Sequence, residues 1–393
     1  MRRKIILVCS IFIFCLGNAQ LINIDVDCDS VIGEIKSLQG MNCGPLPIRS
    51  WGADLSQQFR EIGVDYVRTH DVMIRYDSIT ILVWDIDYIF PDSLANPYDP
   101  LSYNFIPADS QIQAIINAGA KPFIRLGYSK PYYIGVEFRR KWAEICKHII
   151  MHYNDGWATG FYYDIEYCEI WNEPDIPNFW TGTSSEFYAL YDTTAKVLKS
   201  YNPNLIVGGP GIAWVQGNWI VDFLDYCKTN SVPLDFISWH TYEDTINANP
   251  YIVFRKAEIV QQLLDSFNLP IPQYLTEWNI SERQNPWWTC GIKGGAYTAS
   301  FLVYMQNTPI TMAHRYRANA NSSGPPSSAT WYIDGSYTKP AYAFMAFKKL
   351  IETPNRISCN GSDVLGYAVI TGKSETGDTV TILISDFQSP NQG

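Results

Sequence analysis

The sequence contains no Cys-x-x-Cys pair, and its nine cysteines are widely spaced. That excludes a zinc ribbon and a dense disulfide framework. Basic residues are also few: 29 Lys and Arg stand against 39 Asp and Glu, a formal net charge of −10 at pH 7. Without a basic stripe the surface suits neither nucleic acid nor an anionic membrane. Beyond residue 20 no stretch is apolar enough to cross a bilayer. Internal repeats, low-complexity tracts and flexible linkers are likewise missing. Charged residues make up only 17% of the chain and hydrophobic ones 47%, which excludes a disordered polymer and leaves material for a large core. The aromatic share is the opposite case, with 13 Trp and 26 Tyr in 393 residues. Such side chains fill large cores, and their faces also stack on the C–H faces of sugar rings.

The N-terminus reads as a secretory signal over residues 1–20. Arg2, Arg3 and Lys4 precede an apolar run from Ile5 to Leu16, and small residues lead to a cleavage region near Ala19 and Gln20. A secreted or periplasmic protein is the expectation. Removing the three basic residues makes the balance 26 against 39, more acidic still. Seven cysteines then remain. Cys146 and Cys227 fall in helical patterns and Cys168 in a strand pattern, as buried small hydrophobes do. Cys28 and Cys359 are a candidate bridge between the two ends.

Strand-like and helix-like segments alternate from residue 37 to residue 352, with eight βα units. The strands are expected at 38–44, 66–70, 121–126, 167–171, 205–208, 236–242, 274–278 and 311–317. Thr183-Ser-Ser-Glu186 has the form of a capping box opening a helix. A 37-residue stretch from Asp71 to Pro107, rich in Asp, Pro and Tyr, reads as a long loop at the mouth. The implied fold is an α/β (β/α)8 TIM barrel. Residues 21–36 and the tail 353–393, with a hairpin at 364–371 and 379–386, suggest a small β-sandwich beside it. That unit has too few strands to be complete.

Two of the apolar strands end in a carboxylate. Glu169-Ile170-Trp171-Asn172-Glu173-Pro174 closes the fourth, and Leu275-Thr276-Glu277-Trp278-Asn279 the seventh. Strands four and seven lie across a barrel mouth from each other, where barrel chemistry sits. A facing pair of carboxylates is the minimum equipment for breaking a glycosidic bond. Ser238, His240 and Tyr242 are spaced by two and share a strand face. If that face points inward, Tyr242 reaches Glu277 and His240 lines a sugar pocket. Arg68 can fix Glu277 through a bidentate pair, while His70 reaches the sugar. Glu169, deeper on strand four, reads as a buried partner for an arginine such as Arg125. The basic run His314-Arg315-Tyr316-Arg317 on strand eight fits either ion pairing inside the barrel or recognition of a uronic acid carboxylate by Arg315 or Arg317.

These pieces resemble glycoside hydrolase family 39, the family of β-xylosidases and α-L-iduronidases within a clan of retaining barrel glycosidases. The resemblance rests on Trp171-Asn172-Glu173-Pro174 followed by Phe179-Trp180, on Thr276-Glu277-Trp278, on Val67-Arg68-Thr69-His70, and on Ser238-Trp239-His240-Thr241-Tyr242. It covers roughly Leu38 to Leu350. It implies a metal-independent retaining enzyme without cofactor, acting on oligosaccharide or polysaccharide, with an exo-acting β-xylosidase foremost. Glu173 would be the general acid/base, kept protonated by burial beside Trp171, and Glu277 the nucleophile. Asn172 would bind the sugar 2-hydroxyl, with His70, His240, Tyr242, Arg68 and Trp278 around the sugar. A uronidase, another β-glycosidase of the clan, and a binding-only barrel are the rival expectations. Specificity is expected in loops such as the one holding Pro286-Trp287-Trp288.

Overall fold

The computed structural model describes residues 22–49, 51–70, 73–76, 79–82, 86–127, 136–244, 247–280 and 285–389. Eight strands form a closed parallel barrel: Gly40–Asn42, Tyr66–Arg68, Lys121–Leu126, Tyr167–Ile170, Ile206–Ile212, Phe236–Glu243, Gln273–Ile280 and Ile310–Arg315. They are called strands one to eight below. Each pairs with its sequence neighbour, and strand eight closes onto strand one through His314 opposite Gly40 and Arg315 opposite Met41. Long helices run between successive strands and cover the outside, as a parallel sheet requires. Helix Val136–Asn154 buries Trp142, Ile145 and Ile149 at helical spacing, whereas Phe138, in its first turn, stays exposed. The capping box is present: the Thr183 hydroxyl accepts from the Glu186 amide at 3.2 Å, and the Glu186 carboxylate accepts from the Thr183 amide at 2.8 Å.

Inside the barrel, side chains alternate with the strand period and so stack in layers. Phe123, Phe236, Tyr274 and Met312 plug the N-terminal end as an apolar cluster. Above them the fill becomes polar, with Arg68, Glu169, Ser238 and His314 fully buried. The carboxylates of the mouth come next. On strand seven the pairing register with strand six slips between Leu275 and Glu277. Such a bulge inserts one residue and swaps which face the following side chains take. Tyr274 and Glu277, an odd number apart, therefore both point inward.

The described part of the expected long loop has structure of its own. Met73–Tyr76 and Ile79–Leu82 pair antiparallel, and Ile86–Ile89 forms a short helix whose Ile86 and Ile89 enter the core. Its turn signals mark bends between small elements rather than one open loop. The second β unit is a four-stranded antiparallel sheet in the order Val26–Glu34, Asn355–Cys359, Tyr367–Lys373 and Val380–Asp386. The polar strand Asn355–Cys359 carries almost no apolar pattern and was not legible before. This sheet is fastened to helix Ile292–Met305, whose Ser300 hydroxyl donates to the Gly366 carbonyl at 2.6 Å. Cys146, Cys168 and Cys227 are buried as expected. Cys28 and Cys359 lie on paired strands but are both free, so the suggested bridge is not formed. Residues 1–20, read as a signal, lie outside the described residues, and among the described ones no helix is long and apolar enough to cross a membrane.

Candidate active site

The end of strand four turns sharply. Trp171 and Glu173 both have left-handed backbones, with φ of 77° and 49°. Non-glycine residues rarely adopt that region, and it costs on the order of 1 kcal/mol or more each. Packing and hydrogen bonds hold it. The Glu173 amide donates to the Gly211 carbonyl at 3.0 Å. Trp171 sits among Trp142, Trp180 and Phe187, and its indole N–H donates to the Phe179 carbonyl at 3.2 Å. Close approach requires glycine at 127, where a Cβ would lie 2.6 Å from the Trp171 ring. The turn leaves Glu173 9% exposed at the mouth, and Glu277 5% exposed opposite it.

The distance between the two decides which chemistry is available. One oxygen of Glu173, one of Glu277 and a ring nitrogen of His240 all lie within 4.8 Å of one another. Carboxyl groups about 5 Å apart suit direct attack on an anomeric carbon, whereas about 6.5–9.5 Å is needed to seat a water between. The same three groups are the only described cluster with donors placed for a metal ion. The Arg68 guanidinium is 2.7 Å from Glu277, so an added cation would meet a resident positive charge.

Glu277 is the most heavily held group. Arg68 Nη1 donates to its Oε1 at 2.7 Å, His70 Nε2 approaches the same oxygen at 3.0 Å, and the Tyr242 hydroxyl donates to Oε2 at 2.5 Å. Burial alone would raise this carboxyl. The fields of His240 when protonated, of His70 and of Arg68 override it and hold the group well below the usual carboxylate range. Burial likewise pushes the Tyr242 phenol well above its ordinary value, reinforced by the Glu277 charge, so it stays a donor. The Glu173 carboxylate meets His240, whose Nδ1 lies 2.7 Å from its Oε1.

Arg68 forms the floor of the site. Its Nε meets Glu169 at 2.6 Å, Nη1 meets Asn42 at 3.0 Å as well as Glu277, and Nη2 meets the Asn172 carbonyl oxygen at 2.8 Å. Burial would strip its charge, but Glu169 and Glu277 hold it. The last contact holds the Asn172 side-chain amide by its oxygen.

Several expectations need correcting. Arg68 is not a bidentate clamp on Glu277 and does not line a sugar pocket; its fork is divided between Glu169 and Glu277. The buried partner of Glu169 is Arg68 rather than Arg125, because strands two and four place both side chains inward in the same layer. His70 is committed to Glu277. Trp278 is fully buried outside the barrel, stacked on Phe301 with ring centroids 4.5 Å apart, since the bulge that turns Glu277 inward turns its neighbour outward. Arg315 is buried and binds the Ser328 carbonyl, the Thr330 hydroxyl and Asn279; burial lowers it to about 9. Among the described residues it makes no ion pair. His314 is buried within the barrel, and burial with the Arg68 charge keeps it neutral. Trp288 packs on Phe387, while Trp287 is exposed.

The sequence did not single out Asn42, Gly211 or Trp214. Asn42 supports Arg68 from strand one, where three residues offer no pattern. Trp214 is 64% exposed, and its amide and that of Ala213 donate to the Asp175 carboxylate, two residues beyond Glu173.

A (β/α)8 barrel with an asparagine–glutamate pair at the end of strand four, facing a glutamate on strand seven, defines a class of paired-carboxylate barrel sites. The chain belongs to glycosyl hydrolase family 39, whose description, "Glycosyl hydrolases family 39", matches residues 36–322. A β-xylosidase of Caldicellulosiruptor saccharolyticus is 29% identical over 260 residues, which cover 59% of this chain and 49% of that protein. The chain thus spans about half the length of the curated relatives it matches. Among solved structures, a glucosidase from Croceicoccus marinus superposes with a TM-score of 0.80 at 26% identity, covering 94% of this chain and 79% of that one. A monomeric β-xylosidase from Caulobacter crescentus CB15 superposes with a TM-score of 0.70 at 19% identity, covering 94% and 78%, a likeness of fold.

Proposed function

We propose that the protein is an exported, retaining, exo-acting β-glycosidase, with β-xylosides as its substrates. The observation that carries this reading is the separation of Glu173 and Glu277, whose oxygens approach within 4.8 Å. In the first step the Glu277 carboxylate attacks the anomeric carbon as the glycosidic C–O bond breaks, and Glu173 gives its proton to the departing oxygen. In the second, Glu173 takes a proton from water, whose oxygen displaces Glu277 from the sugar. Arg68, His70 and Tyr242 keep Glu277 ionised and aimed. Asn172, whose amide oxygen Arg68 holds, has its Nδ2 left to donate to the 2-hydroxyl, a contact that strengthens as positive charge develops on the ring.

Likeness to two β-xylosidases at 29% and 27% identity supports xylose as the sugar. A β-glucosidase is the second reading, favoured by the high superposition on the Croceicoccus marinus glucosidase. Of the two arginines that would favour a uronidase, Arg315 is held by the Ser328 carbonyl and the Thr330 hydroxyl, which leaves Arg317, over the Tyr316 ring at 5.7 Å, as its support. The residue-1–20 segment supports export. The test is a panel of aryl glycosides (β-xyloside, β-glucoside, β-galactoside and α-L-iduronide) with the anomer of the first product read by NMR. Turnover of the β-xyloside with retained configuration is expected. Inverted product would overturn the mechanism, preferential turnover of the glucoside would replace the sugar, and inertness across the panel would favour a binding-only barrel.

A further inference from the structure

The mechanism above uses Glu173 as an acid but leaves one buried carboxylate without a task. Glu169 is fully buried, and only one of its oxygens is occupied, Oε2 by Arg68 Nε at 2.6 Å. Its Oε1 has no partner among the described residues, and neither has Nε2 of the buried His240. Both atoms face the same small space above Gly211. A Cβ at that glycine would lie 3.1 Å from His240 Nε2, 3.4 Å from Glu169 Oε1 and 3.4 Å from Arg68 Nη2. The Gly211 backbone is held there by its amide bond to the Ser238 hydroxyl at 2.8 Å and has φ of +64°.

We propose that Glu169 is a positioning residue that fixes the tautomer of His240 and thereby keeps the catalytic proton on Glu173. This rests on the reading of Glu173 as the general acid. An ionised carboxylate can only accept hydrogen bonds, so Glu169 Oε1 favours a hydrogen on His240 Nε2 across this space, beside the second N–H of Arg68 Nη2, whose first goes to Asn172. A neutral imidazole protonated at Nε2 has a bare Nδ1, which can only accept. The 2.7 Å contact between Nδ1 and Glu173 Oε1 then needs a hydrogen that Glu173 supplies. The acid is held in its protonated form by a bond whose direction is set on the far side of the ring. After Glu173 has given up its proton, two lone pairs face each other across that contact. Proton uptake from the incoming water relieves this, which favours the second step. Arg68 faces the same groups from strand two and His70 from just beyond it, Tyr242 from strand six, Glu277 from strand seven and His314 from strand eight, with Asp175 beyond Glu173 on its own loop. Of these, Arg68 gives one Nη2 hydrogen to Asn172, His70 and Tyr242 contact Glu277, His314 stays neutral, and Asp175 accepts from the Ala213 and Trp214 amides.

Glu169→Gln tests the idea sharply. The amide oxygen would stay on Arg68 Nε and the NH2 group would turn to His240 Nε2, reversing the tautomer so that Nδ1–H donates to an ionised Glu173. Expected is a loss on the order of 10²-fold in kcat/KM on phenyl β-xyloside, within the range general acid catalysis supplies. The dinitrophenyl β-xyloside, whose leaving group needs no proton, should fall less than about threefold, given acid catalysis is the function lost. The alkaline limb of kcat/KM should move to lower pH. Equal losses on both substrates, or an unmoved alkaline limb, would overturn the proposal in favour of a merely structural role. A second measurement needs no variant. Nitrogen-15 spectra of histidine-labelled wild type should show His240 protonated at Nε2 and bare at Nδ1, and the opposite pattern would overturn it. Wild type inert toward all glycosides would instead defeat the functional reading, and the His240 spectrum would still decide the tautomer.

Discussion

Replacing Arg68 by lysine keeps the charge and removes the fork. Arg68 makes four contacts from three nitrogens, to Glu169, Glu277, Asn42 and Asn172, with distances from 2.6 to 3.0 Å. An ammonium is a single point on a flexible stem and cannot span all four. If it stays between the two carboxylates, Asn42 and Asn172 each lose a charged donor in a fully buried layer. An unsatisfied buried polar group costs about 1–3 kcal/mol, so the variant should lose roughly 2–5 kcal/mol of stability. Urea unfolding followed by tryptophan fluorescence would show this as a lower midpoint at unchanged slope. Activity should fall too, on the order of 10²-fold in kcat, because Asn172 loses the bond that orients its amide. A variant within about 1 kcal/mol of wild type, where ordinary surface substitutions fall, with kcat intact would refute the division of the Arg68 fork described above.

Other outcomes follow from the same geometry. Glu173→Ala should lose on the order of 10²–10⁴-fold on phenyl glycosides while largely retaining dinitrophenyl turnover in the first step; parallel losses would contradict its role as acid. The acid limb of kcat/KM should lie below the ordinary glutamate value of about 4.3, because Glu277 is depressed and must be ionised to attack. For the same reason the stability that Glu277 contributes is present above that unfolded value and fades as pH falls through the folded one, which acid titration of unfolding would detect. Trp278→Ala should cost about 3–5 kcal/mol in unfolding experiments and leave KM unchanged, as expected of a core residue rather than a sugar contact. Gly127→Ala, with backbone φ of +88° and the Trp171 ring 2.6 Å from the new methyl, should lower both stability and kcat by tilting the Glu173 turn; unchanged kcat would separate that glycine from the site.

Much of this was legible because it is periodic. Eight βα units announce themselves by alternating strand and helix patterns, and each barrel strand falls within four residues of its expected boundaries. The pair Glu173 and Glu277 was legible because each closes an apolar strand. Tyr242 could be placed against Glu277 because Ser238, His240 and Tyr242 keep an unbroken period of two. Trp278 was misplaced because a bulge is invisible to a rule that assumes alternation. The partner of Glu169 was missed for another reason: Arg68 and Arg125 both face inward from neighbouring strands, and only the layer height in the folded barrel distinguishes them. Strand Asn355–Cys359 owes its place to pairing on both sides rather than to its own residues. Gly211 contributes by what it lacks, and one sequence carries no signal for that.

The most direct test of the central claim is to trap the intermediate. Wild-type protein would be incubated with a 2-deoxy-2-fluoro-β-xyloside bearing a dinitrophenyl leaving group, digested, and mapped by mass spectrometry. The account predicts one fluoroxylosyl group, on the peptide containing Glu277. Label on Glu173 or elsewhere, or turnover with inverted product and no label, would contradict it.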